Sequence, residues 1–272
     1  MFSMKRSVLL FVAVLLTVGL VSGSAQTADA QVLERIVQSG ELRVGMSGDQ
    51  APFNARNRDG DLMGLEVDLA NMLAGAIGVE AKFVTRPFPK LLEALAAGEV
   101  DLVMSGMAIT AERSLKAAFV GPYVLSGKSI LTNSKALAAA REAGEINRSE
   151  LTLAALAGST SEEFIKKVLP EAALMQVSDY NTAVKKVMAD EIDALVADMP
   201  ICMLTIMRHP GKQLATLTQP LTIEPVGIAM PMGDPQLKSL LDSYITAFEG
   251  TGLLDQLRKK WFEDGTWIAA LP

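Results

Sequence analysis

The chain has 272 residues, half of them hydrophobic, which is enough to bury one large or two modest cores. Its formal net charge of −6 at pH 7 and its lack of a basic tract argue against nucleic acid or an anionic membrane as a partner. One Cys, Cys202, and one His, His209, exclude an internal disulfide and a Cys/His metal site, and we expect no metal and no cofactor.

Residues 1–25 have the pattern of a secretory signal peptide. A short basic start precedes an apolar run from Val8 to Val21, and small residues then offer cleavage sites after Ala25 or after Ala30. An uncleaved membrane anchor is disfavoured because the run is shorter than the ~20 residues that a spanning helix needs. Removing two cations and no acids changes the formal charge from −6 to −8, and we expect a soluble, exported protein.

From residue 31 to residue 128, apolar residues alternate between helical and strand spacing. This predicts a βαβαβ run whose parallel strands require right-handed crossovers. The predicted elements are helices at 32–38, 66–77 and 89–97, strands at 42–46, 81–85 and 101–104, and a loop rich in Gly, Pro, Asn and Asp at 48–61. The β-prone segment 123–132, with Gly127 inside it, is predicted to cross into a second lobe.

Residues 129–226 are predicted to form that second lobe. Its predicted elements are helices at 135–142, 161–168, 181–189 and 200–207 and strands at 151–156, 194–197 and 214–217. The chain then returns through a strand at 226–230, and helices at 235–248 and 253–262 are predicted to cover the first lobe. The first lobe therefore comprises residues 31–128 and 227–272, and two crossings between the lobes form a hinge that opens and closes.

One sequence pattern occurs in both predicted lobes. In residues 91–106 and again in residues 183–198, a predicted helix is followed by Glu-Val-Asp or Glu-Ile-Asp, a short apolar strand and a polar residue where that strand ends. Ligands of open α/β sheets bind beyond the carboxyl ends of strands. We therefore predict an α/β fold of two similar lobes, with a ligand site between Ser105–Gly106 of one lobe and Asp198 of the other.

The segment 105–113 has the composition of an anion-binding site. It joins a buried strand to a helix for which Thr110 is a suitable N-cap. A helix N-terminus presents unpaired N–H groups and a partial positive charge, and the guanidinium of Arg113 can bind a carboxylate through two hydrogen bonds. Alternatively, Arg113 is a surface residue paired with Glu112 or Glu99.

A second candidate anion site and a lone acid lie in the second lobe. The turn Gly158-Ser159-Thr160 precedes a predicted helix and offers backbone N–H donors, although an ordinary helix cap has the same pattern. Few glycines and no Lys make a phosphate-binding loop improbable there. Asp198 ends a buried strand and can accept an ammonium group, or it can cap the helix that follows, and the two roles are compatible.

These motifs together resemble one family. From about Gly40 to Trp261, the chain is similar to the extracellular solute-binding proteins, family 3, which serve polar amino acid ABC importers. The motifs that carry the resemblance are Gly40-Glu-Leu-Arg-Val-Gly45, Ala51-Pro-Phe53, Gly64-Leu-Glu-Val-Asp68, Gly98-Glu-Val-Asp101, Ser105-Gly-x-x-x-Thr-x-x-Arg113, Gly158-Ser-Thr160 and Asp190-x-x-Asp-x-x-x-x-Asp198. The resemblance implies the fold of periplasmic binding proteins, in which each lobe has a central, mostly parallel sheet flanked by helices.

The resemblance also implies roles for individual residues. Arg113, with backbone N–H groups near Ala108 and in the turn of Ser159 and Thr160, is expected to hold a ligand's α-carboxylate. Asp198 is expected to accept its α-ammonium group. The ligand's side chain is expected to contact groups near Ser47, Gln50, Phe88 and Ser105.

Three positions depart from the family's pattern. Gln50 replaces an aromatic ring, Ala108 replaces a Ser or Thr, and Ser47 stands where several members have an acid. Stacking and one hydroxyl donor are lost, which leaves the identity of the ligand's side chain open. The missing acid at Ser47 slightly disfavours Lys, Arg or His as the ligand.

The leading prediction is a periplasmic receptor, expected to be a monomer and not an enzyme, which captures a small zwitterionic solute such as an amino acid for an inner-membrane permease. One alternative is a cyclohexadienyl dehydratase-like enzyme on the same fold, for which Glu162 or Glu163 would have to supply a general acid with a raised pKa. Another is a ligand-binding accessory protein that docks on a sensor instead of a permease.

Overall fold

Two five-stranded sheets organise residues 32–272, which are the residues that this computed structural model describes. The predicted signal peptide lies outside the described residues. The strands are β1 Glu41–Met46, β2 Asp49–Gln50, β3 Asn54–Arg56, β4 Leu62–Met63, β5 Glu80–Thr85, β6 Leu102–Val103, β7 Ala118–Ser126, β8 Lys128–Thr132, β9 Thr152–Leu156, β10 Ala173–Val177, β11 Ala194–Asp198, β12 Ala215–Thr216 and β13 Glu224–Met230. The α-helices are α1 Val32–Ser39, α2 Leu65–Ile77, α3 Leu91–Ala96, α4 Ala111–Ser114, α5 Lys135–Ala138, α6 Thr160–Val168, α7 Tyr180–Met188, α8 Met199–Arg208, α9 Pro235–Gly250 and α10 Leu253–Arg258.

The two large sheets share one arrangement. The strand order is β5-β1-β6-β13-β7 in the first sheet, where β1 pairs in parallel with β5 and β6. The order is β10-β9-β11-β8-β12 in the second, where β9 pairs in parallel with β10 and β11. Antiparallel strands complete each sheet, β13 and β7 in the first and β8 and β12 in the second. The strands of the repeated sequence pattern, β6 and β11, thus hold equivalent positions, which confirms the predicted fold class.

The chain crosses between the sheets twice, and the crossings touch. The first crossing is at Gly127, between β7 and β8, and the second lies between β12 and β13. A Cβ atom on Gly127 would lie 2.0 Å from the carbonyl oxygen of Thr222 in the second crossing, so only glycine fits there. The lobe boundaries predicted after residues 128 and 226 fall inside β8 and β13 and remain a prediction.

Helix α2 illustrates how the sequence builds the first sheet's core. Its residues Leu65, Leu69 and Leu73 repeat at helical spacing and are fully buried. The helix ends at Gly78, which adopts the left-handed conformation typical of a helix terminus. Helix α9 packs against β7 and α10 packs against α2, so both C-terminal helices return to the first sheet, as the sequence predicts.

Three segments differ from the sequence-based expectation. The predicted loop 48–61 contains β2 and β3, which form a small antiparallel sheet with β4, because side-chain hydrogen bonds hold this polar segment in place. The predicted helix 135–142 is only one turn, α5, and a 3₁₀ turn at Ala143–Glu145 follows it. Strand β10 was not predicted, since it is a partly exposed edge strand without apolar alternation.

Candidate functional site

Arg113 links the half of the molecule built on the first five-stranded sheet to the half built on the second. It lies in the first turn of α4, where the Thr110 hydroxyl accepts its backbone N–H at 3.2 Å, so the predicted N-cap is confirmed. Its guanidinium donates from Nη1 to the carbonyl oxygen of Ala108 at 2.9 Å and from Nη2 to that of Gly158 at 3.2 Å. Ala108 follows β6 of the first sheet and Gly158 follows β9 of the second.

The alternative that Arg113 is an ordinary surface residue is wrong. The two acids suggested as its partners are paired elsewhere, Glu112 with Lys116 and Glu99 with Arg86. The guanidinium carbon of Arg113 instead lies 5.6 Å from the ring centroid of Phe88, within range of a cation–π interaction. Burial lowers the pKa of Arg113 from its ordinary value, but a guanidinium stays charged at any physiological pH.

A cavity of about 780 Å³ adjoins Arg113 and is lined by residues of both halves. The first half contributes Thr110 and Arg113 at the start of α4, and the second contributes Ser159, Thr160 and the acid Glu163 at the start of α6. Within residues 32–272 the lining of this cavity does not include Asp198. It therefore places the predicted carboxylate-binding groups side by side but not the predicted ammonium-binding group.

The turn before α6 is shaped for close approach between the halves. Gly158 has a φ of +73°, and a Cβ atom on it would lie 3.0 Å from that of Pro89 in the first half. The Ser159 hydroxyl caps α6 by accepting the N–H of Glu162 at 3.2 Å. As the first helical residue, Thr160 has a backbone N–H with no intrahelical acceptor, so it is available to an anion.

The backbone N–H of Ala108 is a second donor without an acceptor among residues 32–272. Ala108 forms an isolated antiparallel bridge with Val226 of β13. The hydrogen bonds of that bridge come from the flanking residues, Ile109 N–H to Pro225 and Gly227 N–H to Met107. The N–H of Ala108 therefore points away from β13, as in any pair of this type.

Asp198 is paired with a buried lysine. Although it occupies the N-cap position of α8, its side chain caps nothing, so the helix-capping alternative is wrong. Its Oδ1 accepts from Nζ of Lys128 at 2.8 Å, and the same Nζ lies 2.9 Å from Oε2 of Glu224. Glu224 also accepts the hydroxyl of Thr160 at 2.7 Å, so a chain of polar contacts runs from the cavity wall to Asp198.

Three of the four residues predicted to contact the ligand's side chain, Ser47, Gln50 and Ser105, form one largely buried polar cluster in the first half, and Phe88 lies apart from it beside Arg113. The Ser105 hydroxyl donates to Oε1 of Gln50 at 2.6 Å and accepts the N–H of Ser47 at 3.0 Å. The N–H of Gly106 donates to Oε1 of Glu66 at 2.6 Å, so a ligand would have to compete with Glu66 for it.

Glu66 is the hub of this cluster and was not predicted. Its Oε1 also accepts the hydroxyl of Tyr123, and its Oε2 accepts Nδ2 of Asn54 at 2.6 Å. Asn54 in turn accepts the N–H of Gly48 at 2.6 Å. Burial raises the pKa of Glu66 from its ordinary value, although the three donors oppose that rise. Glu66 thereby holds the segments after β1 and β6 against each other.

Some sequence signal existed for the residues that were missed. Glu66 lies on the apolar face of α2 next to Leu65 and Leu69, where an acid needs buried partners. Lys128 begins β8, in which every residue is buried, and a lysine is seldom fully buried unless it is paired. Neither signal names the partner, because the partners come from distant parts of the chain.

Glu162 and Glu163 have lowered pKa values, whereas the alternative of a dehydratase-like enzyme requires one of them to have a raised pKa. Burial disfavours ionisation of Glu162, but hydrogen bonds from Lys166, the N–H of Gly158 and Gln176 outweigh it and lower its pKa. A hydrogen bond from Lys167 lowers the pKa of Glu163. Both carboxyls therefore favour the ionised form, which is unsuited to general acid catalysis.

Two further results concern the described residues as a whole. No group of three or more His, Cys, Asp or Glu side chains within residues 32–272 is arranged to hold a metal ion. The helices of this part of the chain also lack the length and apolar character that a membrane crossing requires.

Comparison with known proteins gives consistent similarities. The sequence profile of the bacterial extracellular solute-binding proteins, family 3, matches residues 42–264. Cyclohexadienyl dehydratase of Pseudomonas aeruginosa is 28% identical over 260 residues, which cover 96% of this chain and 97% of that protein. The L-cystine-binding protein TcyJ of Escherichia coli K12 is 26% identical over 249 residues, covering 91% of this chain and 92% of that protein.

Solved structures are similar over most of the chain. An ancestral amino acid-binding protein, described as a precursor of cyclohexadienyl dehydratase, is 32% identical, with a TM-score of 0.78 over 86% of this chain and 100% of that one. A putative binding component of an ABC transporter from Wolinella succinogenes, in complex with lysine, is 32% identical, with a TM-score of 0.80 over 85% of this chain and 99% of that one.

Proposed function

The chain belongs to the bacterial extracellular solute-binding proteins, family 3, and from this premise we propose that it captures an amino acid for an ABC importer by closure of its two lobes. The observation that carries the proposal is the meeting of Arg113, from the first half, with the N-terminus of α6, from the second, at one cavity. A guanidinium and unpaired N–H groups are the donors that a carboxylate prefers.

In the proposed complex, the α-carboxylate binds Arg113 and the N–H groups of Ala108 and Thr160. The α-ammonium group binds the second carboxylate oxygen of Asp198, Oδ2, which has no hydrogen-bond donor among residues 32–272. The side chain of the ligand faces the cluster of Ser47, Gln50 and Ser105, with the Phe88 ring beside it. Since these groups come from both halves, only the closed state makes every contact, and ligand binding favours closure.

Export to the periplasm and delivery to an inner-membrane permease complete the proposal, with the protein acting as a monomer. Family membership supports export, because the family is described as extracellular, and relatives such as the ABC transporter glutamine-binding protein GlnH of Bacillus subtilis support delivery to a permease. The mass of the protein recovered from the periplasm tests the export step. A mature N-terminus at Gln26 or Gln31 is expected, and an unprocessed chain in the membrane fraction would contradict it.

A catalytic function is the second candidate, because one relative is a dehydratase. The lowered pKa values of Glu162 and Glu163 support a binding protein instead, since elimination of water needs an acid that is protonated at neutral pH. Incubation with prephenate and arogenate, followed by chromatography, distinguishes the two. Turnover above the buffer rate would favour the enzyme, and none is expected.

A thermal-shift screen of the 20 amino acids tests the binding function. A ligand at 100 times its Kd stabilises a folded protein by about 2.7 kcal/mol, which raises the melting temperature measurably. Arg113→Ala should abolish the shift, whereas Arg148→Ala, which removes only an exposed partner of Glu150, should preserve it. A ligand that binds Arg113→Ala as tightly as the original protein would refute the assigned carboxylate site.

A further inference from the structure

A fully buried lysine lies where the chain crosses between the sheets. Lys128 begins β8, directly opposite Asp198 in the antiparallel pairing of β8 with β11. Its side chain is 2% exposed, and its Nζ contacts both Asp198 and Glu224. Glu224 begins β13 on the other crossing, so the lysine is held by one acid from the second sheet and one from the hinge.

This lysine is charged in the folded protein. Burial alone would lower the pKa of Lys128, because an ammonium group loses its hydration, but the two carboxylates outweigh burial and raise that pKa. The cluster therefore contains two negative charges and one positive charge. The same two carboxylates are the main charges that oppose the lowering of the pKa of Arg113 by burial.

The four charges of Arg113, Lys128, Asp198 and Glu224 sum to zero, and the other acids that line the cavity, Glu93, Glu112 and Glu163, each pair with a lysine of their own. Arg113 and Lys128 contribute two positive charges, and Asp198 and Glu224 contribute two negative ones, so +2 − 2 = 0. A zwitterion with an uncharged side chain leaves that sum unchanged when it is enclosed. A ligand with a cationic side chain adds one charge, and enclosing an uncompensated charge away from water is costly.

The groups expected to contact the ligand's side chain include no acid, and Asp49, next to Gln50, lines other cavities together with Arg208 and His209. Ser47, Gln50 and Ser105 are uncharged. The acid behind them, Glu66, is fully buried, and both of its oxygens already accept hydrogen bonds from protein groups. A cationic side chain would therefore lack a partner on this side of the site.

We infer that Lys128 is a specificity-determining residue, which supplies the cation that a basic ligand would otherwise provide and so restricts the site to amino acids with an uncharged side chain. The inference rests on the proposed function. It follows that removing the charge of Lys128 leaves the site with a net charge of −1 and favours lysine or arginine. Removing the charge of Glu224 leaves +1 and favours glutamate.

Isothermal titration calorimetry of the exported protein with glutamine, arginine and glutamate tests this. The original protein should bind glutamine at least ten times more tightly than arginine or glutamate. Lys128→Met should shift the arginine-to-glutamine affinity ratio at least tenfold towards arginine, and the double variant Lys128→Met/Glu224→Gln should restore the original order. Lys238→Met, which removes an exposed partner of Asp242 on α9, serves as the control and should change nothing.

Glu224→Gln keeps the test decisive if Lys128→Met fails to fold, because it retains the lysine and should shift preference at least tenfold towards glutamate. Equal affinity of the original protein for glutamine and arginine would overturn the inference while leaving the proposed function intact. Unchanged ratios in both folded single variants would do the same. Failure of every amino acid to bind the original protein would overturn the proposed function, and this inference with it.

Discussion

Replacing Glu66 tests how much the buried polar cluster contributes to the stability of the fold. In Glu66→Ala, three donors lose their acceptor in a region closed to solvent. They are the N–H of Gly106, Nδ2 of Asn54 and the hydroxyl of Tyr123. An unsatisfied buried donor costs about 1–3 kcal/mol, so the variant should lose about 3–9 kcal/mol. That loss is comparable to the whole unfolding free energy of a typical domain, about 5–15 kcal/mol.

Glu66→Gln separates the hydrogen bonds from the volume of the side chain. The amide oxygen can replace Oε1, which accepts two of the donors, but the amide nitrogen then faces Nδ2 of Asn54, a donor against a donor. We expect a loss of about 1–3 kcal/mol, smaller than that of Glu66→Ala. Urea denaturation followed by Trp fluorescence measures both, with Glu80→Gln, at an exposed pair with Lys82, as the control. A loss below about 1 kcal/mol for Glu66→Ala would refute the reasoning.

The difference in unfolding free energy between the original protein and Glu66→Gln should depend on pH. The pKa of Glu66 is raised by burial, so above the unfolded-state value of about 4.3 the unfolded chain releases its proton while the folded chain still retains it. Stability contributed by Glu66 is therefore greatest at low pH and falls as the pH rises towards the folded-state pKa. The unfolding free energy of the original protein minus that of Glu66→Gln should decrease from pH 4 upwards, and an increase would mean that the three donors outweigh burial.

Two further predictions concern other parts of the fold. Gly127→Ala should destabilise the protein strongly, because its Cβ atom would lie 2.0 Å from the Thr222 carbonyl oxygen, whereas Gly144→Ala, with nothing within 4 Å, should be nearly neutral in the same urea assay. The Cys202 thiol should resist Ellman's reagent at pH 8 until urea unfolds the chain, because burial raises its pKa to about 12. Rapid reaction of the native protein would contradict that burial.

Local patterns account for what the sequence predicted. The repeated helix–strand pattern identified β6 and β11 as equivalent strands, because each strand end is determined by residues next to it. Thr110 identified the start of α4 in the same way, and with it the place of Arg113. The edge strand β10 was not predicted, because it is partly exposed and its sequence shows little apolar alternation. Its pairing with β9 is visible only in the structure.

What the sequence could not predict depends on register between distant segments. Lys128 meets Asp198 only because β8 pairs antiparallel with β11 in one particular register, across 70 positions of sequence. Glu66 meets Gly106 and Tyr123 only after α2 lies beside the end of β6 and within reach of the Tyr123 side chain in β7. Asp198 could therefore be identified from sequence as a lone acid, but its counter-charge could not.

The paired charges link the ligand site to the hinge. Lys128 and Glu224 begin the strands that follow the two crossings, and hydrogen bonds tie those crossings together, from Leu221 N–H to the carbonyl oxygen of Lys128 and from Lys128 N–H to the Thr222 hydroxyl. Asp198, the proposed acceptor of the ligand's ammonium group, shares its carboxylate with this assembly. A ligand that binds Asp198 must therefore change the electrostatic balance at the hinge itself, so the same contact that recognises the ammonium group also acts on the segments about which the lobes close.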